Sequence, residues 1–205
     1  MNQPIRLRIY CTGVGGQGTL LATRLLGEAA MAAGYQVQVA ETHGMAQRGG
    51  VVESTVVLGG WSSPIISLGE ADILLGFEAL ESFRSLNRCH DRTLVIANVG
   101  VNIPYTVAVG LAQYPPVERM MDLIRRQVGR LVALDANALA RQAGHIQAVN
   151  MVILGALMRT GILPFSPQDL QQVIRDQTPS RFLDINLKAF DLGYEAAPVD
   201  AGPIS

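Results

Sequence analysis

Residues Arg6–Gly18 read Arg-Leu-Arg-Ile-Tyr-Cys-Thr-Gly-Val-Gly-Gly-Gln-Gly, and few folds accommodate such a stretch. Leu7, Ile9 and Cys11 alternate with Arg8 and Tyr10 as in a strand, and the chain then meets four glycines within six residues. Gln17–Ala33 follows as an amphipathic helix, with Leu21, Leu25, Ala29 and their neighbours on a broad apolar face, Arg24 and Glu28 spaced i,i+4 opposite, and Gly34 at its end. In a strand–glycine–helix unit, the N–H groups of the first helical turn lack intrahelical partners and lie at the positive end of the helix dipole. Glycines let a phosphate approach them without meeting a Cβ. Gly13, Gly15, Gly16, Gln17, Gly18 and Thr19 are therefore the candidate cofactor-binding residues. The same glycines also suit a tight turn that lays the helix close on its sheet, and both readings stand at this level.

Gly13, Gly15 and Gly18 satisfy the spacing G-x-G-x-x-G, and Glu41 lies 23 residues beyond Gly18, where a ribose-binding acid is expected. Taken alone, this predicts an NAD- or FAD-binding oxidoreductase. The continuation argues against it. Tyr35–Ala40 alternates as a second strand, but Glu41–Gly50 is too polar and glycine-rich for the helix that a dinucleotide fold needs next. Val51–Leu58 follows at once as a β-branched strand, Gly59-Gly60 is a turn signal, and Trp61–Ser67 is expected as a short return strand completing a hairpin. The pattern predicts an antiparallel excursion.

Further strands are expected at Ala71–Phe77, Arg92–Val99 and Leu131–Asp135, with a short helix over Glu78–Leu86 and another over Val117–Val128 behind Pro116. Asn102–Pro116 reads as a loop with a short strand at Thr106–Val109. Asp135 is expected to cap the helix that starts at Ala136. Beyond it the pattern is helical: Ala138–Ala143, Asn150–Thr160, Pro167–Gln177 and Ser180–Tyr194, the third with Ser166 as N-cap and Pro167 and Asp169 in its first turn. Asn150–Thr160 is apolar nearly all round, as a central helix or half of an interface would be, and Gly155 and Ala156 leave room for another helix. The fold class is α/β: a single domain over residues 1–196, with a central mixed, partly antiparallel sheet, packed helices and a helical C-terminal third. Residues 197–205 carry two prolines and a glycine and are expected to form a flexible tail.

Composition narrows the partners. Charged residues are 16% of the chain, against about 25% in a typical domain, which favours a large buried subunit interface. The net charge of −1, without a basic block, disfavours a nucleic-acid or anionic membrane partner. No apolar run approaches the roughly 20 residues of a membrane span, and the polar Met1–Ile5 leads into no signal-peptide core, so a cytoplasmic location is expected. Cys11 and Cys89, the latter in a turn-like stretch, are read as reduced thiols; two isolated cysteines do not make an iron–sulfur site, which takes about four thiolates. His43, His90 and His145 lie far apart, and neither H-E-x-x-H nor G-x-S-x-G occurs, so no metal ligand and no catalytic residue is assigned.

The segment His43-Gly44-Met45-Ala46-Gln47-Arg48-Gly49-Gly50 places an imidazole, an amide and a guanidinium on a backbone with three glycines. Loops of this kind present polar groups to a ligand or partner, and Arg48 can fork onto a carboxylate or phosphate. A solvated surface loop is the plainer alternative. His43, Met45, Gln47, Arg48, Gly49 and Gly50 are the candidate substrate or interface residues.

Gly13-Val14-Gly15-Gly16-Gln17-Gly18, a helix, and then this second motif together resemble the gamma-type domain of 2-oxoacid:ferredoxin oxidoreductases, over Arg6 to Tyr194. The wording His-Gly-Met-Ala-Gln is most similar to the small (beta) subunits of the indolepyruvate, or arylpyruvate, branch. The resemblance implies oxidative decarboxylation of a 2-oxoacid with thiamine diphosphate, coenzyme A accepting the acyl group and ferredoxin accepting electrons through iron–sulfur clusters. This sequence has neither the Gly-Asp-Gly…Asn-Asn thiamine motif nor a cluster-forming cysteine set. The resemblance therefore implies an accessory subunit of a hetero-oligomer, inactive alone, whose large partner holds thiamine diphosphate and the clusters. It also implies a phosphate-bearing group, such as one of coenzyme A, at Gly13–Thr19, and an interface near the substrate channel at His43–Gly50. A free-standing NAD- or FAD-dependent enzyme and a non-catalytic nucleotide-binding assembly module are the alternatives.

Overall fold

The computed structural model describes residues 5–43, 50–101, 107 and 113–198. Six strands form one sheet: β1 (Leu7–Val14), β2 (Val37–His43), β3 (Val51–Leu58), β4 (Ala71–Gly76), β5 (Cys89–Asn98) and β6 (Arg130–Leu134), in the order β2-β3-β1-β4-β5-β6. β1, β4, β5 and β6 run parallel, whereas β3 lies antiparallel between β1 and β2. The mixed sheet and its antiparallel excursion follow the sequence reading. The described α-helices are α1 (Thr19–Ala32), α2 (Ala79–Arg84), α3 (Val117–Gln127), α4 (Ala136–Ala143), α5 (Val149–Arg159), α6 (Pro167–Gln177) and α7 (Ser180–Ala196).

The alternation in β1 divides the core. Ile9 and Cys11 face α1 and the C-terminal helices, in a layer with Leu25, Leu26 and Ile153. Tyr10 faces the other way, in a layer with Leu74, Val95, Met120 and Ile124 beneath α2 and α3. Apart from Arg159, all of α5 is buried, which makes it the central helix. α7 crosses it where two glycines meet: a Cβ on Gly155 would lie 2.0 Å from Phe190 O, and one on Gly193 would lie 2.0 Å from Val152 O. The predicted caps also form. Asp135 accepts from Ala138 N at 2.9 Å, and Ser166 and Asp169 cap each other at the start of α6.

Several expectations need correction. Trp61–Ser67 is not a return strand, because β3 already pairs with β1 on one side and β2 on the other and has no free edge to offer. That segment instead packs on the Tyr10 face of the sheet, where Ile66 joins Tyr10 and Val57, with Thr55 Oγ1 donating to Pro64 O at 2.7 Å and Arg6 stacked on Trp61 at 3.9 Å. β2 begins at Val37 and continues to His43, so Glu41, Thr42 and His43 belong to a strand and not to the loop. Cys89 opens β5 and does not sit in a turn. Of the strand expected at Thr106–Val109, all but Val107, which is helical, lies outside the described residues, as does the chain from residue 199 onward.

Candidate functional site

The glycine turn sits at the C-terminal end of β1, beside the end of β4. Its members do different work. Gly13 is a packing glycine: a Cβ there would stand 2.8 Å from Gln17 Oε1 and 2.9 Å from Phe77 Cβ. Gln17 is buried and holds the turn closed, its Oε1 accepting from Val14 N at 2.7 Å and its Nε2 donating to Phe77 O at 3.1 Å. Gly18 has φ +75° and is pressed against Asn150, whose Nδ2 would lie 2.5 Å from a Cβ. Gly16 has φ +102° and nothing within 4 Å of where a Cβ would project. Two glycines thus serve packing, and Gly16 faces open space.

The sheet brings the two ends of the second motif, His43 and Gly50, to the same place. Gly13 pairs with Val52 and Val14 with Val51, and Gly15 N donates to Gly50 O at 2.9 Å. The main chain of His43 ends β2 opposite Val52. Met45, Gln47, Arg48 and Gly49 lie outside the described residues.

A cleft of about 690 Å³ opens over the turn, lined among others by Gly16, Thr19, Leu21, His145, Asn150 and Phe182. Three helices begin at it. Thr19 starts α1, Asn150 lies in the first turn of α5 and Phe182 in that of α7. None of the three has a side-chain cap or an acidic residue in its first turn. The start of α1 therefore presents N–H groups and a partial positive charge of roughly half a unit, whereas Met151 N in the first turn of α5 is held by Asn150 Oδ1 at 3.0 Å and Phe182 N in that of α7 by Pro179 O at 2.9 Å. His145 is the one ionisable side chain on the cleft wall among the described residues, and its Nδ1 accepts from Gln147 N at 3.2 Å. Thr19 is buried and its hydroxyl has no protein partner. The cleft joins anion-binding donors to an apolar wall of Leu20, Leu21, Met151 and Ile185. It suits an anion attached to an apolar body.

Sequence reasoning missed a polar framework at the same end of the sheet. Asn98 Nδ2 donates to Phe77 O and to Asn137 Oδ1, both at 3.0 Å, while its Oδ1 accepts from Gly100 N at 2.9 Å and Ala136 N at 3.0 Å. On the α2 face, the buried Glu78 carboxylate accepts from Glu81 N at 2.9 Å and from the Tyr114 hydroxyl. Burial pushes the Glu81 carboxyl above the usual range, with Arg84 opposing the shift, and burial beside Glu78 raises the Tyr114 phenol. The available signal was positional: Glu78 and Asn98 are polar residues at the C-terminal ends of apolar strands. Glu41, by contrast, is separated from β1 by β3, since both Glu41 and Cys11 pair with Ser54. That intervening strand removes the ribose contact on which the dinucleotide reading rests.

The family model for pyruvate ferredoxin/flavodoxin oxidoreductase matches residues 8–196. The chain belongs to this family. Among its members, it is 39% identical over 193 residues to indolepyruvate oxidoreductase subunit IorB of Archaeoglobus fulgidus, covering 94% of this chain and 96% of the relative. It is 42% identical over 191 residues to the IorB subunit of Pyrococcus horikoshii, covering 92% and 95%. The family fold is seen in the crystal structure of the keto/oxoacid ferredoxin oxidoreductase gamma subunit from Geobacter sulfurreducens, with TM-score 0.67 at 24% identity over 93% of this chain and 98% of that one. The similarity to both IorB subunits is thus end to end.

Proposed function

We propose that this chain is the small subunit of an indolepyruvate, or related arylpyruvate, ferredoxin oxidoreductase, working with a large subunit that holds thiamine diphosphate and iron–sulfur clusters. The end-to-end similarity to IorB subunits carries the reading. In such a complex, thiamine diphosphate supplies the decarboxylation chemistry and the clusters carry the electrons out to ferredoxin. The cysteines of this chain do not fit a cluster. Cys11 on β1 is fully buried, and burial pushes the Cys89 thiol on β5 up to about 12, so neither offers a thiolate at neutral pH.

The cleft does fit an anionic cosubstrate. Coenzyme A joins phosphates to a long pantetheine arm, and the cleft supplies Gly16 and the uncapped start of α1 on one side and a largely apolar wall on the other. The chain's part is then to hold and orient coenzyme A while the His43–Gly50 segment, with Arg48, meets the partner at the rim. Co-expression with a thiamine-binding large subunit tests the reading. A stable complex is expected, in which Gly16→Asp raises the KM for coenzyme A at least tenfold, about 1.4 kcal/mol, and leaves that for the oxoacid unchanged. If no complex forms, the subunit assignment fails; if the KM for coenzyme A does not move, the cleft assignment fails.

A further inference from the structure

The outer edge of the sheet makes a separate case. Among the described residues β2 is the terminal strand, and its seven residues, Val37–His43, contain no lysine, no proline and no break in the register with β3. These are the devices by which natural proteins protect an open edge from pairing with another chain. Which groups are free follows from the register. Gly59 N donates to Gln36 O at 3.0 Å, so in the alternating antiparallel ladder Gln38, Ala40 and Thr42 turn their main-chain groups toward β3. The N–H and C=O groups of Val37, Val39, Glu41 and His43 point away from the sheet.

We infer that this edge pairs with β2 of a second copy of the chain, antiparallel, about a two-fold axis through Ala40. That register uses the whole strand and matches outward groups only with outward groups: Val37 faces His43 of the copy, and Val39 faces Glu41. Ala40 meets its own copy in the wide, non-hydrogen-bonded position, where Cα atoms come within about 4.5 Å and side chains are closest. A small residue stands where a large one would collide with itself. Glu41, the one acidic residue of the strand, meets Val39 and not its own copy, which avoids a like-charge pair directly across the ladder. Gln38 and Thr42, both polar, face each other.

The surroundings agree with a covered edge. A Cβ on Gly27 would lie 3.3 Å from Val39 Cγ2, which puts the valine side chains on the α1 face, yet Val39 remains 41% exposed. Met31, at the end of α1, is 64% exposed. A two-fold axis normal to the sheet keeps the α1 helices of both copies on one face and brings these apolar side chains toward each other. The pairing is isologous, so it closes after two copies and propagates no further.

The mass of the full-length chain, measured by light scattering from micromolar to millimolar concentration, tests the inference independently of any large subunit. The expected result is a shift from the 22.0 kDa chain to twice that mass. Val39→Pro removes an outward N–H that an edge strand can lose while keeping its fold, and it should hold the chain at the single mass with an unchanged circular dichroism spectrum. Ala40→Cys should form an intermolecular disulfide under mild oxidation, because the paired Cα distance suits one, whereas Thr42→Cys, facing Gln38, should not. A wild-type chain of single mass throughout, a dimer indifferent to Val39→Pro, or equal cross-linking of both cysteine variants would overturn it. So would an edge that becomes protected from hydrogen exchange only when a different chain is added.

Discussion

Replacing Gly155 by alanine sets two effects of opposite sign against each other at the contact that fixes the cleft. Helix propensity favours alanine by about 1 kcal/mol in a helix interior. The contact opposes it. The new Cβ would sit 2.0 Å from Phe190 O and 2.8 Å from Tyr194 N, both main-chain atoms of α7. A close carbon–oxygen contact needs about 3.3 Å, so α7 must retreat by roughly 1.3 Å or α5 must shift within a fully packed layer. Overpacking of this kind costs about 1–3 kcal/mol, and the retreat also loosens the buried Ala189 and Phe190. Against the propensity gain, the net expectation is about 1 kcal/mol of destabilisation, or a thermal midpoint lower by about 2–4 °C for a chain of this size. Gly193→Ala makes the reciprocal clash with Val152 O at 2.0 Å, and a single displacement relieves both. The double variant should therefore lose less than the sum of the two single losses. Urea and thermal unfolding of the three variants provide the measurement. A stabilised Gly155→Ala, or strictly additive losses, would refute the close-packing argument. Because Asn150 and Phe182 reach the cleft from the starts of these two helices, the same variants should weaken ligand binding there.

Three further outcomes follow from the polar framework. Burial raises the folded-state Glu81 carboxyl above its unfolded value, so its contribution is present below the unfolded pKa and lost as pH rises through the folded one. Across that window the thermal midpoint of the wild type should fall relative to Glu81→Gln, and a pH-independent difference between the two would contradict the assignment. Asn98→Ala strands the donors Gly100 N and Ala136 N and the acceptor Asn137 Oδ1, while Phe77 O keeps Gln17 Nε2, and should cost about 3 kcal/mol in urea unfolding. Asp135→Ala, which removes one exposed helix cap, should cost only about 1 kcal/mol in the same assay.

Local chemistry made much of this fold legible. The two-residue period of β1, the breakers Gly34 and Pro116, and the caps Asp135 and Ser166 act over a few residues, and the structure reproduces them. The apolar circumference of α5 likewise announced a central helix. The failures were non-local. Trp61–Ser67 has the residues of a return strand, but whether it becomes one depends on whether β3 has a free edge, and β1 had already taken it. Within the glycine motif, residue type could not separate Gly13, walled in by Gln17 and Phe77, from Gly16, which faces space. Gln17 stands among the candidate cofactor contacts by residue type, and in the structure its amide bonds Val14 and Phe77. Asn150 and Phe182 reach the cleft from 132 and 164 residues beyond Gly18, a distance across which no spacing rule operates.

The central claim, that this chain completes an oxidoreductase it cannot constitute alone, is tested most directly by reduction of a viologen dye with indolepyruvate and coenzyme A. The assay compares this chain, a thiamine-binding large subunit, and the two together. Dye reduction that appears only in the mixture and requires coenzyme A is the predicted result. Equal reduction by the large subunit alone, or turnover by this chain without a partner, would contradict it.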